Sequence, residues 1–146
     1  MHVTRFVLTG AVAGLIATAL LAPAAHAATE KFHATLNGAS EVPPTDSKGM
    51  GTLDAALDTS TKMLTWTLSY SGLSGPAKAA HFHGPAAAGA NAGVALPIKD
   101  PASGAKGSAT LTEAQMADLQ AGKWYVNVHA AAHPAGEIRG QVEKGM

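Results

Sequence analysis

Leu64-Thr65-Trp66-Thr67-Leu68-Ser69-Tyr70 alternates apolar or aromatic side chains with hydroxyl side chains, without a break. A two-residue period places every second side chain on one face of a strand, so this stretch predicts a strand buried on one side. Just upstream, Leu53, Ala55 and Leu57 alternate with Thr52, Asp54, Ala56 and Asp58, and Asp58-Thr59-Ser60-Thr61 separates the two runs. Asp, Ser and Thr bond back to the local backbone and favour turns, so the pair predicts a β-hairpin. Working outward, Phe32, Ala34 and Leu36 alternate with Lys31, His33 and Thr35, and Trp124, Val126 and Val128 alternate with Tyr125, Asn127 and His129. Lys78–His83 is a shorter strand ending at Gly84-Pro85. Val94–Ile98 contains Pro97, which confines it to a sheet edge. His133-Pro134-Ala135-Gly136 is expected to turn, with Ile138, Gly140 and Val142 opening the last strand.

One helix interrupts this pattern near residues 112–121. Thr112 and Gln115 have capping-box spacing, with Leu111 and Met116 flanking the cap. Met116 and Leu119 can face a core, and Gly122 suits the stop. The whole predicts an all-β domain: an antiparallel β-sandwich or Greek-key barrel of seven or eight short strands with one short helix. Pro43-Pro44 lies in the turn-rich stretch after the first strand and serves as a rigid lead-in. Trp66, Phe82 and Trp124 are expected in the core.

The chain has 146 residues, enough for about one domain. Ten basic and ten acidic side chains cancel, and charged residues are only 14%. This balance excludes a strongly basic nucleic-acid binder, and no basic patch is interleaved with aromatics. Absence of cysteine excludes disulfides, Fe–S clusters, thiolate metal sites and a Cys nucleophile. No nucleophile elbow and no phosphate-cradling glycine loop is present.

The first 27 residues read as a secretory signal: Arg5, an apolar run from Phe6 to Leu21, Pro23, then Ala25-His26-Ala27 in the A-x-A pattern, with cleavage before Ala28. The run is shorter than the roughly 20 residues needed to span a bilayer. Residues 28–146 would then form an exported, periplasmic or extracellular domain without stable membrane insertion. It keeps five of the seven histidines, one arginine (Arg139), and nine basic against ten acidic side chains.

Those histidines carry the main chemical signal. In His81-Phe82-His83 on a strand, residues i and i+2 share a face, roughly 6.6–6.8 Å apart. Both imidazoles point one way while Phe82 points the other. His129 projects away from the apolar set of its own strand. If the two strands are neighbours, His81, His83 and His129 gather at one end, and His133, four residues on, could add a fourth ligand. Neutral imidazoles with no thiolate suit copper or zinc and argue against calcium. His33, on the polar face of the first strand, reads as a surface residue. Glu41 and Glu137 read as turn-capping or ion-paired carboxylates, with a role orienting a ligand imidazole as the alternative. Arg139 reads either as a surface salt bridge or as lining an anion approach.

At three motifs the chain resembles the CHRD domain family. They are Ala34-Thr35-Leu36-Asn37-Gly38-Ala39-Ser40-Glu41-Val42-Pro43-Pro44, then Ala80-His81-Phe82-His83-Gly84-Pro85-Ala86, and then Tyr125-Val126-Asn127-Val128-His129 with Pro134-Ala135-Gly136-Glu137-Ile138-Arg139-Gly140-Gln141. The resemblance covers nearly all of Lys31–Glu143 and makes residues 28–146 a CHRD domain. It implies little about activity: in chordin the domain belongs to an extracellular antagonist of growth-factor signalling, and a fold carries no function by itself. The order His81-x-His83 then His129 also resembles the copper ligands of Cu,Zn superoxide dismutases, another β-sandwich family. Here no histidine lies between His83 and His129, which leaves a mononuclear site. The expected function is therefore transition-metal binding, copper before zinc, for storage or tolerance, with dismutase-like redox as a sub-case. A metal-free interaction or adhesion module is the alternative.

Overall fold

A computed structural model describes residues 28–145; the signal segment expected at residues 1–27 lies outside the described residues. Eight strands form: β1 (Thr29–Asn37), β2 (Met50–Asp58), β3 (Met63–Ser71), β4 (Ala77–His83), β5 (Val94–Ile98), β6 (Ala105–Thr110), β7 (Trp124–Ala130) and β8 (His133–Lys144). A 3-10 turn, Gly38–Ser40, follows β1, and helix α1 (Glu113–Gln120) precedes β7. The predicted β2–β3 hairpin is in register from Met50 opposite Ser71 to Asp58 opposite Met63. Asp58 Oδ1 closes its turn by accepting from the Ser60 and Thr61 amides. The capping box on α1 is also as expected, Thr112 accepting from the Gln115 amide and Gln115 from the Thr112 amide.

All eight strands belong to one antiparallel sheet in the order β5-β4-β7-β8-β1-β2-β3-β6. The crossovers from β3 to β6 and from β4 to β7 make the connectivity a Greek key. The expected layers are thus one curled sheet rather than two separately bonded ones. Its edge strands, β5 and β6, approach across a cleft lined by Leu96, Pro97 and Ile98 on one side and Lys106, Gly107 and Ser108 on the other. This leaves a nearly closed barrel, with Pro97 on the edge strand where its missing N–H is harmless.

The even-numbered residues of β1, β3, β4, β7 and β8 and the odd-numbered ones of β2 fill the barrel. Trp66 from β3 meets Phe82 from β4 edge-on at 5.2 Å, and Phe82 meets Trp124 at 5.7 Å, joining the two halves of the sheet through the interior. Full burial of each such ring stabilises by about 1.5–3 kcal/mol. Leu111 and Leu119 close one end of the core.

One strand is added that the alternation did not mark, and one local expectation changes. Residues 105–110, with no large apolar side chain, form β6 opposite β3. Gly107 sits against the Trp66 indole, where a Cβ would collide with the ring, so small residues are what this strand needs. The turn expected at His133–Gly136 falls instead at Ala131-Ala132, and β8 already begins at His133. The β7–β8 register shifts between Val128 and Ala130, and Gly136 takes φ 135°, a conformation open to glycine that absorbs the irregularity.

Candidate metal centre

β4 and β7 pair directly, with His81 opposite Asn127, His83 opposite Tyr125 and Ala79 opposite His129. Because Phe82 and Val126 point inward, His81, His83, Tyr125, Asn127 and His129 share the outer face of the sheet. β8 extends that face, with Arg139 opposite Asn127 and Gln141 opposite Tyr125. This outer face is not open. The segments 38–49 and 84–93 cover it: the buried Asn127, Glu137 and Arg139 lie beneath them, and Glu41 is buried from the 38–49 segment itself.

His81, His83 and His129 each bring one ring nitrogen within 4.8 Å of the other two. Nitrogens bound to one tetrahedral ion at 2.0–2.1 Å are roughly 3.4 Å apart, so small side-chain rotations close the set. Hydrogen bonds hold the three rings in place. His83 Nδ1 lies 3.0 Å from the Ala92 carbonyl and His129 Nδ1 3.0 Å from the Pro134 carbonyl. A carbonyl only accepts, so His129 Nδ1 carries the proton and its Nε2 keeps the lone pair. His83 lies between two acceptors, the Ala92 carbonyl at Nδ1 and Asn127 Oδ1 3.0 Å from Nε2, which compete for the one proton of a neutral ring. His129 Nε2 in turn lies 3.1 Å from His81 Nδ1. Backbone partners behind the rings are the usual device for orienting metal-binding imidazoles. Burial, with His129 and His83 nearby, holds His81 below the ordinary imidazole range. Burial likewise lowers His129, against the Pro134 bond, which favours its charged form. Both rings are therefore neutral, as a ligand must be, near neutral pH.

His133 is not brought into this group. It starts β8 opposite Ala130 and lines a separate surface cavity with Glu41, Pro43 and Pro134. His33 pairs with Asp54 at 3.0 Å on the exposed face of β1 and β2, the surface role expected of it. Glu137 accepts from Ser47 Oγ, the Ser74 amide and Ser74 Oγ at 2.7–2.8 Å, tying the 38–49 segment to the β3–β4 loop. Its burial works against ionisation, yet these donors outweigh it and hold the carboxyl below its ordinary range. Glu41 shows the opposite balance: burial raises its pKa against the pull of Arg139 and Asn127, and its Oε1 has no hydrogen-bond partner. Asn127 Oδ1 lies 3.0 Å from His83 Nε2. Among the described residues Arg139 is in no salt bridge. It is 2% exposed and packed on Tyr125. Tyr125, which no sequence motif singled out as functional, stacks flat on His83 at 4.7 Å. Its place beside His129 and Asn127 in the alternation of β7 was the available signal.

The fold and site together define a small all-β domain with three convergent imidazoles on the covered face of its sheet. The CHRD domain family matches residues 32–142, and the chain belongs to that family. No curated protein and no solved structure matches it. Among the described residues, no helix is long and apolar enough to cross a membrane.

Proposed function

We propose that this chain is an exported protein that holds one copper ion on His81, His83 and His129, serving metal storage or tolerance in the periplasm or outside the cell. The observation that carries this is the convergence of His81, His83 and His129, each with one ring nitrogen within 4.8 Å of the other two, with the Pro134 carbonyl behind His129 turning its Nε2 towards His81. An all-imidazole set without thiolate or carboxylate suits copper and zinc, and the divalent series places copper highest at nitrogen sites. Export rests on the signal pattern of residues 1–27.

Titration of the purified protein with Cu(II), Cu(I) and Zn(II) tests it. Submicromolar copper binding is expected, lost in His81→Ala and His129→Ala and kept in His33→Ala and His133→Ala. Equal affinity in all four variants would reject the site and favour a metal-free interaction module. A superoxide assay on the copper-loaded protein addresses dismutation separately; a rate no greater than that of free copper removes the redox sub-case.

A further inference from the structure

His83 is oriented by Asn127 Oδ1 at Nε2 and by the Ala92 carbonyl at Nδ1, and Ala92 lies in the 84–93 loop rather than in the sheet. What holds that carbonyl in place is therefore part of the site. Tyr125 holds it from below: its hydroxyl donates to the Ala92 carbonyl at 3.2 Å and accepts from the Ala92 amide at 3.2 Å. Arg139 holds the two preceding residues. Its Nη1 donates to Asn91 Oδ1 at 2.9 Å and its Nη2 to the Ala90 carbonyl. Asn91 then donates to the Val42 carbonyl at 3.0 Å, linking the two covering segments.

The same two residues also grip the imidazole itself. The rings of His83 and Tyr125 are parallel to within 1°, and the Arg139 guanidinium lies 3.4 Å from the Tyr125 ring centroid. Two planar groups cannot share one face of a phenol ring at these distances, so Tyr125 is sandwiched between the imidazole and the guanidinium. Burying a guanidinium without a carboxylate partner is costly. None of the three ion pairs among the described residues includes Arg139. A residue serving only stability could be replaced by an apolar one here; three consecutive loop residues held in one geometry could not be.

We propose that Arg139 and Tyr125 are positioning residues for the metal centre: they lock the segment Ala90-Asn91-Ala92 so that the Ala92 carbonyl outcompetes Asn127 Oδ1 for the His83 proton, holding that proton on Nδ1 and leaving Nε2 free to exchange Asn127 for the metal. This rests on the metal-binding function proposed above, but its test does not require metal. Two-bond proton–nitrogen correlation spectra of the metal-free, 15N-histidine protein report which ring nitrogen of His83 is protonated. The wild type is expected to show the Nδ1–H form; a wild type in the Nε2–H form, donating to Asn127 Oδ1, would overturn the proposal. Tyr125→Phe keeps the stack and removes the hydroxyl; Asn91→Ala, at an exposed position, removes the Arg139 anchor without touching the barrel. Both are expected to move His83 towards the Nε2–H form and to weaken Cu(II) binding roughly tenfold or more, as loss of partners behind metal ligands generally does. Arg139→Lys keeps the charge and loses the fork, and is expected to do the same; if it fails to fold, the other two variants decide. Folded Tyr125→Phe and Asn91→Ala proteins with His83 still in the Nδ1–H form and copper affinity unchanged would overturn the proposal. A wild type that shows the Nδ1–H form, lost in both variants, yet binds no copper would leave the positioning intact and remove the metal-binding function.

Discussion

The barrel has two outer surfaces, and they are built on opposite terms. On β1, β2, β3 and β6 the outward residues, among them His33, Thr52, Asp54, Thr65 and Lys106, stand in solvent or at its edge. Polar groups there need no protein partner, and the pairs they make, such as His33 with Asp54, are exposed. On β4, β7 and β8 the outward residues are just as polar, but the 38–49 and 84–93 segments cover them. Each covered donor or acceptor must then find a partner, because an unmet buried polar group costs about 1–3 kcal/mol. The difference teaches where function sits: the same alternation of residues is inert when open to water and becomes a network when roofed over.

The deepest perturbation is common to both halves. Phe82→Ala removes the ring that bridges Trp66 and Trp124, and should cost about 3–5 kcal/mol in denaturant unfolding. A smaller loss would mean the two halves of the sheet are less dependent on one another than their packing implies.

The covered face comes next. Glu137→Gln weakens a carboxylate that accepts three hydrogen bonds, and should cost about 1–3 kcal/mol at neutral pH. The sign of its pH dependence follows from its lowered pKa. The stabilisation is complete above the ordinary carboxylate value of 4.5 and is lost as pH falls through the lower folded value. Wild type and Glu137→Gln should therefore converge in acid.

Glu41 runs the other way. Its raised pKa means that the ionised form is disfavoured by folding, a cost absent in acid and complete above the folded value. Glu41→Gln should thus be neutral or slightly stabilising at neutral pH, with the advantage vanishing in acid. Parallel pH profiles for the two variants would break the distinction between a satisfied and an unsatisfied buried carboxylate.

The smallest effect belongs to the open face. His33→Ala should change unfolding free energy by less than about 0.5 kcal/mol and leave copper affinity unaltered. A loss comparable to that of Glu137→Gln would erase the contrast between the two surfaces.

How much of this was legible in the sequence depended on whether side chains or backbone carried it. Alternation exposed the strands with large inward residues, and the capping box located α1 to within a residue. It failed for β6, because Gly107 faces Trp66 and no bulky residue could fit to mark the strand. It also failed at His133, where Pro134 and Gly136 resemble a turn although the backbone is already extended. The trio of His81, His83 and His129 followed from two strand periods and one guess about neighbours, which the β4–β7 pairing supports. The carbonyls of Ala92 and Pro134 had no sequence signal, since every residue carries one. The burial of Arg139 had no sequence signal, because charge suggests the surface and only the covering loop makes burial of a guanidinium workable.

The most direct measurement is a crystal of the protein grown with Cu(II), with anomalous data collected across the copper edge. One strong anomalous peak is predicted at about 2.0–2.1 Å from a ring nitrogen of each of His81, His83 and His129, with the His83 and His129 rings still bonded to the Ala92 and Pro134 carbonyls. A fully copper-treated crystal with no peak between these rings, or with copper only at His33 or His133, would contradict the account.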